Sequence, residues 1–539
     1  MRRRACSCSS FHLKRDGEIK YPSVPKTAIF LVLFSAFLTA CGAAGFSPPQ
    51  LEGEPSNTAN PLVAQYSIAS ACAGQAMVEF GPDTSYGRST AWYPVPGSYQ
   101  RTTILVAGMR ASTTYHMRSQ LQCFGETLTS ADSTFTTGAL PASPPFPSIQ
   151  VSRPNASVST LENPGVELVS GIANRPNVMQ AFVMDRDANP IWYYDVGAEN
   201  GSYPFNVKLL PNGHIILSIV TPTASLLREV DLAGTTIREM KVTALAQKMQ
   251  AASFNFVPNF FHHDVLPLDN GHLIVLTNFL KSFTDLPGYP STTQVVGDGI
   301  VDLDPDWNPV WAWNSFDYLD VNRHLFGLPD WTHSNALVYS PADGNILLSV
   351  RHQSWVLKID YNNGAGTGNL FWRLGYQGDF ALTQNSVPSD DPSGWFSFQH
   401  FPSLVSQSGP QTTLAIWDNG DYRPLVTGGI CGPPPSPLCY SRATVFQVDE
   451  SAKVANLLWD YSPGVFSIWG GSINQLPNGN VEFDANAVTT SNPNTVSEVQ
   501  EVTQTSTPEI VWTMDLQAPV NAYRAYRIPS LYPGVTWQY

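Results

Sequence analysis

The chain has 539 residues and a net charge of −14, and only 13% of its residues are charged. This length exceeds one compact core, so it predicts several domains or one large repeat domain. The acidic balance argues against nucleic acid and anionic lipid surfaces as partners, and the 39 glycines, 44 prolines and 14 tryptophans predict an all-β fold with many turns.

Residues 1–40 have the pattern of a targeting segment. Basic residues precede the apolar run AIFLVLFSAFLTA, which is too short to span a membrane and is typical of a secretory signal. LTAC, which ends at Cys41, resembles a bacterial lipobox, whose cysteine carries the lipid; an ordinary signal with a chance cysteine is the alternative. We therefore expect an exported protein, periplasmic or on the cell surface, whose only membrane contact is a lipid anchor at Cys41.

The region after the signal predicts a small domain between two connecting segments. Residues 41–60 are expected to be a tether, 61–138 a β-sandwich and 139–164 a Pro-rich linker. The pieces AMVEFGPDTSYG and TTYHMRSQ resemble a fibronectin type III domain, in which Tyr115 would be the corner tyrosine.

Four cysteines remain once Cys41 and the two cysteines before it are set aside. Their positions along the chain favour the pairs Cys72–Cys123 and Cys431–Cys439, although four cysteines allow three connectivities. An oxidising compartment favours disulfides over free thiols.

Residues 165–539 contain a repeat. Hairpins such as VKLLPNGHIILSI and NALVYSPADGNILLSV each precede a second strand pair, often ending in Trp, as in GIVDLDPDWNPVWAWN. Six such units of about four strands predict a six-bladed β-propeller that follows the small β-sandwich, with seven blades as the alternative. We expect this propeller to be the catalytic domain.

Three histidines occupy the same place in consecutive repeats. His262, His333 and His400 each stand just before or at the start of a first strand, so they should converge near the propeller axis; the adjacent His263 leaves the register open by one residue. Arg351 closes the hairpin that His333 begins, and the two positions are equidistant from its turn, so they should face each other.

The chemistry of this cluster favours an oxyanion over a metal. Three imidazoles suit zinc, but the fixed charge of Arg351 repels a cation and offers paired donors to two oxygens of a sulfate or phosphate. We therefore predict no metal and no cofactor. His352 alternates with Arg351 and should point to the opposite face, whereas Trp331 and Trp417 are expected to line the pocket, with packing between strands as the alternative.

The segments HHDVLPLDNGHLIVL, DWTHSNALVYSPADGNILLSVRHQSWVLKIDY and FQHFPSL resemble the bacterial arylsulfotransferase family. The resemblance implies nucleotide-independent transfer of a sulfuryl group from a phenolic sulfate ester to a phenol through a sulfohistidine. His400 would be the nucleophile, His333 and Arg351 would bind the sulfuryl oxygens, and His262 or His263 would serve the phenolic oxygen. Asn335 would position a ligand or brace His333. A homodimer and a thiol-disulfide oxidase acting during maturation are the further partners we expect.

Two other functions remain open at this point. A surface propeller on a sandwich stalk would bind a glycan or peptide without needing His400. A sulfate or phosphate ester hydrolase would use the same residues with water in place of the phenol.

Overall fold

The computed structural model describes residues 51–173, 177–432, 436, 438–489 and 494–538. The expected signal segment, the first part of the tether and Cys41 lie outside these residues. The described chain is all-β, as predicted, with nearly all strand pairs antiparallel and one α-helix, Val242–Ala251. None of the described helices is long and apolar enough to cross a bilayer.

Two sheets form the N-terminal part. The strands of the first are Leu51–Asn57, Ala64–Ser70 and Thr102–Val106. Those of the second are Gly74–Gly81, Arg88–Ser89, Tyr93–Val95, Thr114–Cys123, Glu126–Thr129 and Ser133–Thr136. Burial alternates along Thr114–Cys123 because successive side chains of a strand point to opposite faces. The first strand, Leu51–Asn57, lies inside the segment 41–60 that was expected to be a tether.

Two features of this part bear on the sequence predictions. Cys72 and Cys123 form a disulfide, which confirms the predicted pair. The hydroxyl of Tyr115 is buried and accepts a hydrogen bond from the Arg110 N–H at 2.9 Å, so it ties a strand to the segment just before it.

Six sheets with a core of four antiparallel strands follow one another. Sheet 1 contains Val166–Ala173, Ala181–Met184, Pro190–Tyr194 and Val520–Ile528. Sheet 2 contains Tyr203–Leu209, Ile215–Val220, Ser225–Val230 and Thr236–Lys241. Sheet 3 contains Phe260–Pro267, Leu273–Thr284, Thr292–Leu303 and Pro309–Asn314.

The second half continues the pattern. Sheet 4 contains Ser334–Ser340, Asn345–Val350, Trp355–Ile359 and Leu370–Leu374. Sheet 5 contains Ala381–Gln384, Val387–Pro388, His400–Ser408, Gln411–Asp418, Arg442–Asp449 and Val454–Tyr461. Sheet 6 contains Ile149–Ser152, Ser472–Gln475, Val481–Asn486, Thr495–Val502 and Ile510–Gln517. A small pair joins Phe466–Ser467 to Val488–Thr489.

Both ends of this region are fastened to sheets. The last strand, Val520–Ile528, pairs with Val166–Ala173 of sheet 1, so the chain closes on its own beginning. Ile149–Ser152 pairs with Ile510–Gln517 at the edge of sheet 6, so part of the predicted linker of 139–164 is a strand. Beyond Ile528, the chain returns to the N-terminal part, where the Tyr532 hydroxyl donates to Leu105 O at 2.8 Å.

A charged cluster ties strands of neighbouring sheets together. Asp264 Oδ1 accepts hydrogen bonds from Lys208 Nζ at 2.7 Å and Asn206 Nδ2 at 2.6 Å, and it lies 3.3 Å from Arg524 Nη1. Its other oxygen accepts the Leu337 N–H at 2.8 Å. Because the charges are buried but paired, the cluster holds strands of sheets 1 to 4 in fixed relation.

Candidate active site

A cavity of ≈ 600 Å³ lies at the start of the strand that opens the main hairpin in each of sheets 2 to 5, which are Tyr203–Leu209, Phe260–Pro267, Ser334–Ser340 and His400–Ser408. Its lining consists of aromatic, aliphatic, imidazole and charged side chains: Ile172, Phe205, His263, Phe326, Asp330, His333, Arg351, His352, His400, Asp421, Tyr422, Ile468, Trp469 and Tyr523.

Irregularities in three first strands aim the polar side chains. The pairing register shifts between Phe261 and Val265 in sheet 3, between Ser334 and Ala336 in sheet 4, and between His400 and Ser403 in sheet 5. His263 and His333 both have φ of 51°, the left-handed region that a residue with a side chain rarely adopts. Such bulges re-aim side chains next to active sites, and the strain is maintained by the surrounding sheet.

In the hairpin of sheet 4, His333 and Arg351 lie opposite each other, as predicted. The main part of the hairpin pairs in one register, and the bulge moves the pairing by one so that Ser334 stands opposite Val350. The Arg351 N–H then reaches His333 O at 3.4 Å.

His400 is buried, and its neighbours determine which nitrogen carries the hydrogen. The Nδ2 of Asn419 donates to Ser467 O at 2.9 Å and Gly470 O at 3.1 Å, so Asn419 Oδ1 must face His400 Nδ1, 2.7 Å away. The amide oxygen only accepts, so His400 Nδ1 donates and Nε2 keeps its lone pair. The Gly470 N–H approaches Nε2 at 3.2 Å. Burial and the charge of Arg351 hold the pKa of His400 well below its usual range, so the ring is neutral at pH 7.

The guanidinium of Arg351 keeps one donor unused. One terminal nitrogen donates to His352 Nε2 at 2.8 Å and the other to Ile468 O at 3.0 Å, but Nε has no hydrogen-bond partner among the described residues. An unpaired buried donor of this kind is costly unless a ligand satisfies it.

Asp421 is the acidic neighbour of Arg351, and its Oδ2 lies 3.6 Å from a guanidinium nitrogen. That oxygen has no hydrogen-bond partner within the described chain, and the residue is only 2% exposed. Burial raises the pKa of Asp421 to about 7, because the attraction of Arg351 does not fully offset the loss of water.

His352 lines the cavity, which corrects the prediction that it points away. Residues Arg351–Gln353 form a turn of 3₁₀-helix, so the strand alternation on which the prediction rested ends before His352. Since Arg351 can only donate, His352 Nε2 accepts, and Nδ1 donates to Asp330 O at 2.8 Å. Burial and the nearby charges of His333 and Arg351 lower the pKa of His352 to about 3.

His333 is paired with a carboxylate. Its Nδ1 lies 2.6 Å from Asp330 Oδ2, and its ring stacks on His352 with centroids 4.5 Å apart. Burial raises the pKa of Asp330, but the hydrogen bond and charge of His333 outweigh it and bring the pKa to about 2.

His263, rather than His262, lines the cavity. Its ring stacks on Phe205 at 4.7 Å and lies 4.8 Å from the His333 ring. His262 stands behind it, with Nδ1 2.6 Å from His263 Nδ1 and Nε2 3.3 Å from Asp298 Oδ1. Burial and the surrounding imidazoles hold the pKa of His263 well below its usual range.

Three residues predicted to contact a ligand do not line the cavity. Asn335 is buried and its Nδ2 donates to Gln399 O at 2.8 Å. Trp331 stacks on Phe316 and Trp417 stacks on Phe483, so both tryptophans pack against other aromatic rings and not against the cavity. The predicted pair Cys431–Cys439 is confirmed as a disulfide.

One set of donors has spacing that suits a metal. Ligand atoms of Asp330, His333 and His352 lie within 4.8 Å of one another. Both ring nitrogens of His352 are already engaged, by Arg351 and by a backbone carbonyl, so a metal would have to break this network. The donors therefore fit a hydrogen-bonded chain better than a metal site.

Several residues of the site were missed by the sequence analysis. Asp330, Asp421 and Asn419 lie in connections between strands, where no repeat marks them. Tyr523 comes from the closing strand; its hydroxyl is buried without a partner in the described chain, and burial raises its pKa to about 12. A carboxylate three residues before His333 was the one local signal available for Asp330.

A largely buried guanidinium with a donor unused among the described residues, beside a neutral imidazole of defined tautomer, is an arrangement suited to an oxyanion. The chain belongs to the arylsulfotransferase (ASST) family, whose model matches residues 153–527. Membership supports an enzyme that transfers sulfuryl groups between aryl compounds, with small-molecule aryl sulfates and phenols as substrates.

Other comparisons add little. None of the curated proteins compared matches the chain. A protein from Lactobacillus plantarum is similar at 9% identity and a TM-score of 0.34, covering 68% of this chain and 100% of its own. A putative 6-phosphogluconolactonase from Bacteroides fragilis is similar at 13% identity and a TM-score of 0.30, covering 84% and 98%. Similarities of this size carry no argument about function.

Proposed function

We propose that the protein transfers a sulfuryl group from a phenolic sulfate ester to a phenol through a covalent intermediate on His400. The observation that carries the proposal is the neutral His400 ring, whose Nδ1–H is held by Asn419 and whose Nε2 lone pair belongs to a cavity that also contains Arg351. A neutral imidazole of defined tautomer is the form that can attack sulfur.

In the first step, the lone pair of His400 Nε2 forms a bond to sulfur while the bond from sulfur to the aryl oxygen breaks. The long contact from the Gly470 N–H gives way, and the positive charge on the ring is offset by Asn419 Oδ1. Arg351 Nε and the Tyr523 hydroxyl have no hydrogen-bond partner among the described residues and belong to side chains that line the cavity, so they supply donors to the sulfuryl oxygens.

In the second step, a phenol replaces the product and its oxygen attacks the same sulfur, releasing His400. The leaving phenolic oxygen needs a proton and the attacking one must lose it, and the cavity offers His263 and His333 for this exchange. Phe205, Phe326 and Trp469 line the cavity and provide surfaces for the aromatic rings of donor and acceptor.

The test is a chromogenic aryl sulfate given to the protein with and without a phenol. We expect turnover that rises with phenol, and radiolabel from a [35S]sulfate ester retained on the wild type but absent from His400→Ala. His116→Ala, which changes a histidine of the N-terminal part, is the matched control and should retain both properties.

Two results would favour the alternatives. Turnover that is indifferent to phenol indicates an ester hydrolase. No turnover and no retained label leave a binding module for a glycan or peptide.

The architecture and location are proposed on related grounds. The six successive sheets, each with a core of four antiparallel strands and closed by Val520–Ile528, support a six-bladed propeller, and the two N-terminal sheets support a fibronectin type III-like sandwich. Two disulfides suit an oxidising compartment, so we propose export with a lipid anchor at Cys41. Incorporation of labelled palmitate that is lost in Cys41→Ser tests the anchor.

A further inference from the structure

We propose that Asp330 is the positioning residue for acid–base catalysis, and that His333, which it holds, exchanges the proton with the phenolic oxygens. This inference rests on the proposed sulfuryl transfer and assigns one of its steps. It gives His333 a different role from the one that the family resemblance implies.

The first argument is the direct contact between the two side chains. His333 Nδ1 and Asp330 Oδ2 are 2.6 Å apart, the distance of a charge-assisted hydrogen bond. The carboxylate accepts, so Nδ1 carries the hydrogen and Nε2 is the nitrogen left for the substrate. When Nε2 also takes a proton, the resulting imidazolium lies against an anion that stabilises it.

The second argument is that, among the described residues, the other cavity imidazoles do not hydrogen-bond to a carboxylate. His400 is held by an amide oxygen. His352 has both nitrogens engaged by Arg351 and a backbone carbonyl, and its Nδ1 is 3.8 Å from Asp330 Oδ2, beyond hydrogen-bond distance. His263 contacts the ring of His262, which in turn lies 3.3 Å from the carboxylate of Asp298.

The third argument is the position of Asp330 at the edge of the cavity. Its side chain is 41% exposed, so the carboxylate stays in contact with water, and the hydrogen bond and charge of His333 outweigh the partial burial. The backbone carbonyl of Asp330 accepts from His352, and His352 accepts from Arg351, so the dyad is braced against the oxyanion site.

His333 gives one proton and takes one back over the two steps. In the first, His333 imidazolium gives its Nε2 proton to the leaving aryl oxygen, which has taken the electron pair of the broken bond to sulfur. In the second, neutral His333 Nε2 takes the proton of the acceptor phenol while that oxygen attacks sulfur and the electron pair of the nitrogen–sulfur bond returns to His400. His333 is again an imidazolium, and Asp330 stays ionised throughout.

The experiment compares donors with good and poor leaving groups in Asp330→Asn and Asp298→Asn. 4-Nitrophenyl sulfate releases a phenolate that hardly needs a proton, whereas phenyl sulfate depends on one. For Asp330→Asn we expect kcat/KM for phenyl sulfate to fall by about 100-fold or more and that for 4-nitrophenyl sulfate by less than about tenfold. Asp298→Asn changes the carboxylate behind His262, and it should lower kcat/KM for both donors by the same factor.

Three results would overturn the assignment. Equal losses for both donors in Asp330→Asn mean that Asp330 acts only on folding or charge, which thermal unfolding of the same variant will reveal. A selective loss in Asp298→Asn assigns the proton exchange to His263. A wild type that transfers from neither donor refutes the proposed function itself, and with it this role for Asp330.

Discussion

Replacement of Asp421 by Asn should change how stability depends on pH. The folded carboxyl has a pKa of about 7 because it is buried, against about 3.9 for an exposed aspartate. A raised pKa means that the unfolded chain gives up the proton first, so stability is fully present below about pH 4 and is lost as pH rises through 7. The full loss is about 4 kcal/mol, of which about 3 kcal/mol falls between pH 5 and pH 8.

The assay is urea unfolding at pH 5 and pH 8, followed by tryptophan fluorescence. Asp421→Asn cannot ionise, so its free energy of unfolding should fall less over this range than that of the wild type, by about 3 kcal/mol. Asp306→Asn changes an exposed aspartate and should follow the wild type. If Asp421→Asn and the wild type lose equal stability between the two pH values, Asp421 is already ionised in the folded protein and the argument from burial fails.

Three other changes probe the cavity and the fold. Asn419→Ala removes the acceptor that fixes the His400 tautomer. The rate at which the 35S label is transferred to the protein should therefore fall by about tenfold to 100-fold, measured by rapid quench with the [35S] donor. Arg351→Lys keeps the charge but loses the Nε donor and the fork, so kcat should fall by about 100-fold in steady-state assays; an unchanged kcat would contradict an oxyanion role. Cys431→Ser with Cys439→Ser removes the restriction that the disulfide places on the unfolded chain and should lower the free energy of unfolding by about 2–3 kcal/mol in urea titrations; an unchanged free energy would contradict this entropic account.

Much of the fold follows from local patterns in the sequence. Turn residues such as Gly344 separate apolar runs, and each pair of runs became a hairpin in the expected place. The pair Cys431–Cys439, 8 residues apart in sequence, was also predicted correctly, and so was Cys72–Cys123, whose members are 51 residues apart. The hairpins and the shorter pair depend on residues near one another in sequence, where turn chemistry and spacing decide the outcome.

The candidate site was predictable only in part, because its details depend on departures from regular strands. His333, Arg351 and His400 were found from their place in the repeat, and they line one cavity. His352 was misplaced because a 3₁₀ turn begins at Arg351 and ends the alternation of side chains. The register between His262 and His263 depends on a bulge, which no sequence period reveals.

The tryptophans illustrate a different limit. Trp331 and Trp417 lie close to the site in sequence, but both are fully buried against other aromatic rings. Proximity along the chain places a residue near a cavity without telling which way its side chain points. Two of the rings that do line the cavity, Phe326 and Trp469, come from the connections before sheets 4 and 6, where no strand period sets the direction of a side chain.

Two histidines of the cavity, His400 and His333, have different roles because their Nδ1 atoms contact different partners. His400 Nδ1 meets an amide oxygen that fixes its tautomer without stabilising a charge, and Arg351 opposes its protonation. His333 Nδ1 meets a carboxylate that stabilises the imidazolium. A nucleophile must be neutral to attack, whereas an acid must hold a proton to give, so the same ring serves both needs only when its neighbours differ. Both partners, Asn419 and Asp330, lie outside the repeat, which is why the histidines were visible in the sequence and the division of labour between them was not.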